Sequence, residues 1–245
     1  MNKISIIIIL IILTSVVIPV SGEDGKDEMD QNKIYVDDIE GEGLGNPAED
    51  FTSIQEAINF AEEEDMIYVY NGLYSENIKI NKTISLYGEN KSSTILIIKD
   101  NKTGFDINAD SIIIKNFTIK NGEIGLLINS TNCKIEENNI TENIYGLKII
   151  NGKDNLIANN KIQRNKYGLY ISKDYPLQQN NNNIIKNNSF VNNFVNAFDK
   201  CNNNYEDNYW YNWIGNKYPI FRFFPYWIPG TIIKNFDWKP ASEEK

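Results

Sequence analysis

The sequence contains no histidine, only two cysteines and only two arginines among 245 residues. The missing histidine removes the imidazole ligands that copper favours. The soft donors do not replace them: Cys133 and Cys201 lie far apart, and Met29 and Met66, the methionines beyond the first segment, do not cluster in sequence. Basic residues are few. Lys and Arg total 24 against 33 Asp and Glu, a formal charge of −9 with a pI near 4.7. A surface this acidic repels phosphate backbones and excludes nucleic acid as a partner. Asparagine is abundant instead, with 38 residues. Asn competes with the helix backbone for hydrogen bonds, so a helical domain is excluded. It tolerates left-handed backbone angles, so many turns are expected.

The chain opens with a targeting pattern. Lys3 precedes the apolar run Ile4–Val20, and Val20-Ser21-Gly22 supplies small residues before an acidic stretch. This is the pattern of a secretory signal peptide over 1–22, with cleavage placed after Gly22. Left uncleaved, about 17 apolar residues reach the lower limit for spanning a bilayer, which would be the chain's membrane contact. Either way the remainder is exported. Residues 23–32 are acidic and poor in apolar side chains, as in a disordered linker.

The stretch NNITENIYGLKI at 138–149 returns as NKIQRNKYGLYI at 160–171. Taking the glycine as zero, Gly104, Gly125, Gly146 and Gly168 mark successive repeats, with Asn196 next. Ile98, Ile119, Ile140, Ile162 and Phe190 stand six before zero. Ser93, Ile114, Ile135, Ile157 and Ile185 stand eleven before. Phe105, Leu126, Leu147, Leu169 and Ala197 follow zero by one, and Ile107, Ile128, Ile149 and Ile171 by three. A fixed period near 22 residues marks a solenoid. Each repeat holds three short apolar β segments divided by Asn and Gly turns, and stacked coils bury what one coil cannot. Asn138, Asn160 and Asn188 form one asparagine column, and Asn101, Asn143, Asn165 and Asn193 another. Stacked amides can bond along the axis. A leucine-rich repeat would need a Leu-x-x-Leu-x-Leu consensus, which is absent. The fold class is therefore all-β, a right-handed parallel β-helix over 33–207. Cys133 and Cys201 fall at different phases, about three coils or roughly 14 Å apart, beyond disulfide reach. Both are expected as thiols, with Cys133 pointing inward.

Both ends need covers. Ser53-Ile54-Gln55-Glu56 reads as a capping box, and Ile54, Ala57, Ile58 and Ala61 make a helical stripe, predicting a capping helix over Ser53–Glu64. Residues 208–245 hold Trp210, Trp213, Trp227 and Trp238 and four prolines, predicting an irregular aromatic cap. Its aromatic faces also suit sugar stacking, and FRFFPYWIP at 221–229 suits an interfacial membrane contact.

The blocks KIYVDD at 33–38, FTSIQEAINFAEEEDMIYVYNGLYSENIKINKTISLYGE at 51–89 and NYW from Asn208 resemble exported β-helix proteins of the NosD-like type. These are built of CASH repeats, named for carbohydrate-binding proteins and sugar hydrolases. The resemblance covers Lys33 to about Ala241. It implies the β-helix fold, an extracytoplasmic place and polysaccharide as the partner class. It does not bring a catalytic pattern with it. The related polygalacturonases need Asn-Thr-Asp, Asp-Asp and Gly-His-Gly, whereas this chain has no histidine and its one Asp-Asp, Asp37-Asp38, precedes the repeats. A pectate-lyase-like site needs an arginine base among acidic calcium ligands. Glu142 and Arg164, on adjacent coils four before zero, are the weak catalytic candidates, and a surface ion pair explains them as well.

The interval from Gly168 to Asn196 exceeds the period by about six residues, placed around 173–179. Insertions in solenoids form loops on one face, often the binding face. Lys148, Tyr170, Asp174 and Tyr175 are therefore the candidate glycan-binding residues. Asn-x-Ser/Thr sequons mark Asn81, Asn90, Asn116, Asn129, Asn139 and Asn187 for N-glycosylation. Asn101 also begins a sequon but is assigned to a ladder. No cofactor is required by the sequence. Calcium on exposed carboxylates and carbonyls is admitted by its chemistry, while copper is disfavoured by the donor set. The expectation is an exported, non-catalytic monomer at the cell surface, structural, adhesive or glycan-binding. The alternatives are a polysaccharide lyase or hydrolase with an unrecognised site, and a NosD-like copper accessory protein.

Overall fold

A computed structural model describes residues 33–38, 50–172, 180–213, 217, 225–230 and 235–244. The chain divides into units Met1–Gln31 and Asn32–Lys245, and the described residues all belong to the second. The signal and linker readings lie outside the described residues.

Among the described residues three sheets run along the coil, with eleven, seven and six strands. One full coil shows the plan. Lys134–Glu136 belongs to the first sheet, Asn139–Thr141 to the second and Tyr145–Ile150 to the third. Each strand pairs in parallel with its equivalent in the coils before and after. The chain turns sharply after the first two strands of each coil. A left-handed residue makes the turn: Asn116, Glu137, Asn159, Asn187 and Asp207 after the first sheet, with φ between 54° and 64°. Asn121, Glu142, Arg164 and Asn192 do so after the second. Asn tolerates this region at little cost, which accounts for much of the asparagine count.

The apolar columns stack as their spacing predicts from the second repeat onward. Ile114, Ile135, Ile157 and Ile185 are in register on the first sheet, as are Ile119, Ile140, Ile162 and Phe190 on the second. All are fully buried. Two assignments in the first repeat are corrected. Leu86, not Ser93, pairs with Ile114, and Leu96, not Ile98, pairs with Ile119. Two extra residues enter at the 3-10 turn Lys99–Asn101 and five more between Leu86 and Leu96, so counting back from Gly104 by the regular spacing stops short. Asn101 sits in that turn, exposed, and joins no ladder.

The zero position is glycine because the next coil leaves no room. A Cβ on Gly146 would lie 2.8 Å from both the Gly168 carbonyl and the Asn165 amide nitrogen. Asn196 escapes this limit because its strand, Val195–Asp199, ends the third sheet.

The N-terminal helix is shorter than predicted, Ile54–Phe60 with Ser53 as N-cap. Ala61 is already extended, and Lys82 of the next turn of chain bonds the carbonyls of Asn59 and Ala61. The predicted box is half formed. Ser53 accepts from the Glu56 N–H, but Glu76, rather than Glu56, satisfies Ser53 and the N–H groups of Ile54 and Gln55. At the other end the strands run past 207. Tyr209–Trp210 adds to the second sheet and Asn235–Asp237 to the first. Tyr226–Ile228 then closes the first sheet as its antiparallel edge. Trp210 is stacked between Phe190 and Tyr226, each at 4.3 Å, so it plugs the bore. Both cysteines are buried thiols, as their phases predict.

Candidate functional site

The outward side chains of the third sheet converge on one patch. Strands Tyr145–Ile150, Tyr167–Ser172 and Val195–Asp199 lie side by side, so Tyr145 meets Tyr167 and the column Lys148, Tyr170, Phe198 runs along the axis. The Tyr145 and Tyr167 rings stack at 5.0 Å, and Tyr170 stacks on Phe198 at 5.3 Å. Tyr170 meets the edges of both other tyrosines. Such packing fixes the rings and leaves edges and hydroxyls toward solvent. Three ammonium groups surround them: Lys148 lies 4.9 Å from the Tyr145 ring centre, Lys166 5.9 Å from Tyr167 and Lys200 6.0 Å from Phe198. These are cation–π distances. Burial, then Tyr167, Tyr170 and Glu123, pushes the Tyr145 hydroxyl above its ordinary value, so it stays a donor. The patch is basic and aromatic on a protein of net charge −9.

Lys148 and Tyr170 are thus neighbours in this patch, whereas Asp174 and Tyr175 lie outside the described residues. Tyr145, Tyr167 and Phe198 were not foreseen. Phe198 stands two after the fifth zero, and the two tyrosines one before theirs. Reading those outward columns for aromatics would have found them.

Glu142 and Arg164 do meet, at 3.6 Å, both well exposed. No further carboxylate is ion-paired to Arg164 among the described residues. Both hold left-handed turn positions, with φ of 58° and 54°. A non-Gly, non-Asn residue there costs about 1 kcal/mol or more. An exposed pair returns 0–1 kcal/mol, roughly. Replacing Arg164 by Asn is therefore expected to raise stability by about 0.5 kcal/mol in urea unfolding, where a dominant ion pair would lower it.

Among the sequons, Asn81, Asn90 and Asn129 are exposed, and Asn116, Asn139 and Asn187 are half-buried. Asn139 donates to Thr118 and accepts from Gln163, so a glycan there would disrupt two bonds. Asn101, which also begins a sequon, is exposed.

The asparagine columns form three buried ladders. Asn138, Asn160, Asn188 and Asn208 each present an oxygen to the backbone N–H of the corner before. Asn138, Asn160 and Asn188 also donate their amides to the next asparagine and to a carbonyl of the preceding coil. Asn143, Asn165 and Asn193 do the same at the next corner. A third ladder, Asn155, Asn183 and Asn203, begins at the Cys133 N–H. Two ladders end on buried carboxylates. Asp237 accepts from Asn208 and from the Trp210 indole, and Asp199 accepts from Asn203, Tyr205 and the Cys201 N–H. Burial raises both carboxyls above their ordinary value, Asp199 to about 6.

A family model described as periplasmic copper-binding protein (NosD) matches residues 26–220. No curated protein matches the chain. Among solved structures, a pectin methylesterase mutant in complex with a hexasaccharide is 14% identical with a TM-score of 0.46, covering 65% of this chain and 66% of that one. Pectin methylesterase PemA from Erwinia chrysanthemi is 14% identical with a TM-score of 0.41, over 65% and 66%. The ORF18 protein of Geobacillus virus E2 is 18% identical with a TM-score of 0.48, over 71% and 41%. The chain thus spans less than two thirds of the length of these chains.

The residues present do not fit copper. The chain has no imidazole, and its two thiols are buried in separate coils. Among the described residues no three His, Cys, Asp or Glu side chains gather as metal ligands. Metal analysis after exposure to Cu(I) and dialysis is expected to find substoichiometric copper. One tightly held ion per chain would contradict this. No helix among the described residues is long and apolar enough to cross a membrane. By its stacked parallel coils and a match over residues 26–220 of 245, the chain belongs to the NosD family of periplasmic β-helix proteins.

Proposed function

We propose that the protein is an exported, non-catalytic glycan-binding scaffold whose third sheet binds an acidic polysaccharide. The observation that supports it is the patch of Tyr145, Tyr167, Tyr170 and Phe198 beside Lys148, Lys166 and Lys200. Tyrosine hydroxyls and ammonium groups suit carboxylates and ring hydroxyls of a uronate chain, and ring edges suit its apolar C–H faces. The rings are packed before any ligand arrives, so little ordering is lost on binding. The polymer would lie along the axis, crossing successive coils. Secretion or display at the cell surface belongs to the same reading.

Catalysis is the less supported alternative. A glycosidase needs two placed carboxylates, and Glu142 faces an arginine on an exposed turn. The test is affinity electrophoresis in gels containing polygalacturonate, alginate or a neutral glucan, with mass spectrometry of soluble products. Retardation by the acidic polymers alone, without products, is expected. Tyr170→Ala is expected to weaken it about tenfold. New oligosaccharides would establish an enzyme instead.

A further inference from the structure

A cleft lies at the C-terminal end of the first sheet. Strands Asn202–Glu206 and Asn235–Asp237 pair through a single register position, Tyr205 opposite Asp237. Beside that contact is a cleft of about 430 Å³. Asn204, Glu206, Phe236, Trp238 and Lys239 line it, with Asn235. Trp238 is 70% exposed and rests on Phe236 at 5.3 Å, so the indole is supported from one side and open on the other. Glu206 and Lys239 face each other at 3.6 Å and leave no net charge. Asn235 is buried, and its side-chain oxygen has no hydrogen-bond partner.

We propose that this cleft binds a neutral saccharide, independently of the acidic-polymer face. An open, supported indole offers an apolar plane to the C–H face of a pyranose ring. Amides and a balanced ion pair both donate and accept, which suits hydroxyl groups better than carboxylates. The site differs from the third-sheet patch in charge, and the two should therefore differ in salt response. Binding of an uncharged ligand is insensitive to screening.

The test is titration of the protein with cellohexaose, maltohexaose and chitotetraose, read by tryptophan fluorescence and calorimetry. Saturable binding of at least one is expected, unchanged by added salt. Trp238→Ala should weaken it about tenfold or more, with an unchanged unfolding midpoint, as expected for an exposed side chain. Trp238→Phe should restore part of the affinity, and Tyr170→Ala should leave it unaltered. No saturable binding by any of the three would overturn the proposal, as would full affinity in Trp238→Ala. Loss of acidic-polymer binding in Tyr170→Ala tests the third-sheet face alone, so the two readings fail separately.

Discussion

Asn188→Asp is expected to destabilise the protein by about 3–5 kcal/mol, whereas Asp237→Asn costs under about 1 kcal/mol, in denaturant unfolding. The two positions share a column but not its chemistry. Asn188 accepts from Asn160 with its oxygen, while its nitrogen donates to the Asn208 oxygen and the Ile157 carbonyl. A carboxylate at 188 keeps the acceptor but turns an oxygen toward two other oxygens in a fully buried corner. Asp237 closes the column. One of its oxygens takes the Asn208 and Trp210 donors, and the other takes the Lys239 N–H. An asparagine at 237 keeps the oxygen that serves Asn208 and Trp210 and gives up only the partly buried bond from the Lys239 N–H, which its amide nitrogen cannot accept. Asp237→Ala, by contrast, strands three buried donors and is expected to cost as much as the change at 188. Equal effects of Asn188→Asp and Asp237→Asn would mean that the ladders have no direction.

The second large effect is on pH dependence. Asp199 pairs in register with Ile171 and so occupies the place of an isoleucine. Burial is the main cause that raises its carboxyl to about 6 from the ordinary 3.8, against the bonds from Asn203, Cys201 and Tyr205, which lower it. The folded state therefore holds this proton more tightly than the unfolded chain. The resulting stabilisation is fully present below 3.8 and is lost as pH rises through about 6. Its size is roughly 3 kcal/mol. Asp237 is raised as well and acts in the same direction. Unfolding free energy measured in urea is expected to fall between about pH 4 and pH 6.5. Asp199→Asn should remove most of that slope. A rise in stability over the same interval would show that the ordinary ion pairs outweigh the buried carboxylates.

The coils were legible because one residue per turn repeats the same environment. Ile119, Ile140 and Ile162 are forced into line by the circumference, and the spacing shows it. The first repeat misled because seven extra residues enter it, two at Lys99–Asn101 and five between Leu86 and Leu96, where length changes without a change in apolar pattern. The third ladder escaped notice because a backbone N–H of Cys133 heads it, and the long repeat separates Asn155 from Asn183. Asp199 was readable as the break in the Ile107, Ile128, Ile149, Ile171 column. Asp237 was not, since the chain leaves the repeat before returning to the first sheet. The aromatic face was half legible. Tyr170 follows from the outward column, but Tyr145 and Tyr167 share theirs with Thr103, Ile124 and Val195, a mixed set without an obvious theme.

The most direct test of the proposed function is the affinity of the protein for polygalacturonate at low and high salt, compared with Lys148→Gln, Lys166→Gln, Lys200→Gln together. The account predicts saturable binding that weakens on the order of tenfold as salt rises, and a triple variant that binds weakly and no longer responds to salt. Undiminished, salt-sensitive binding in the triple variant would contradict it, and so would no binding by the unaltered protein.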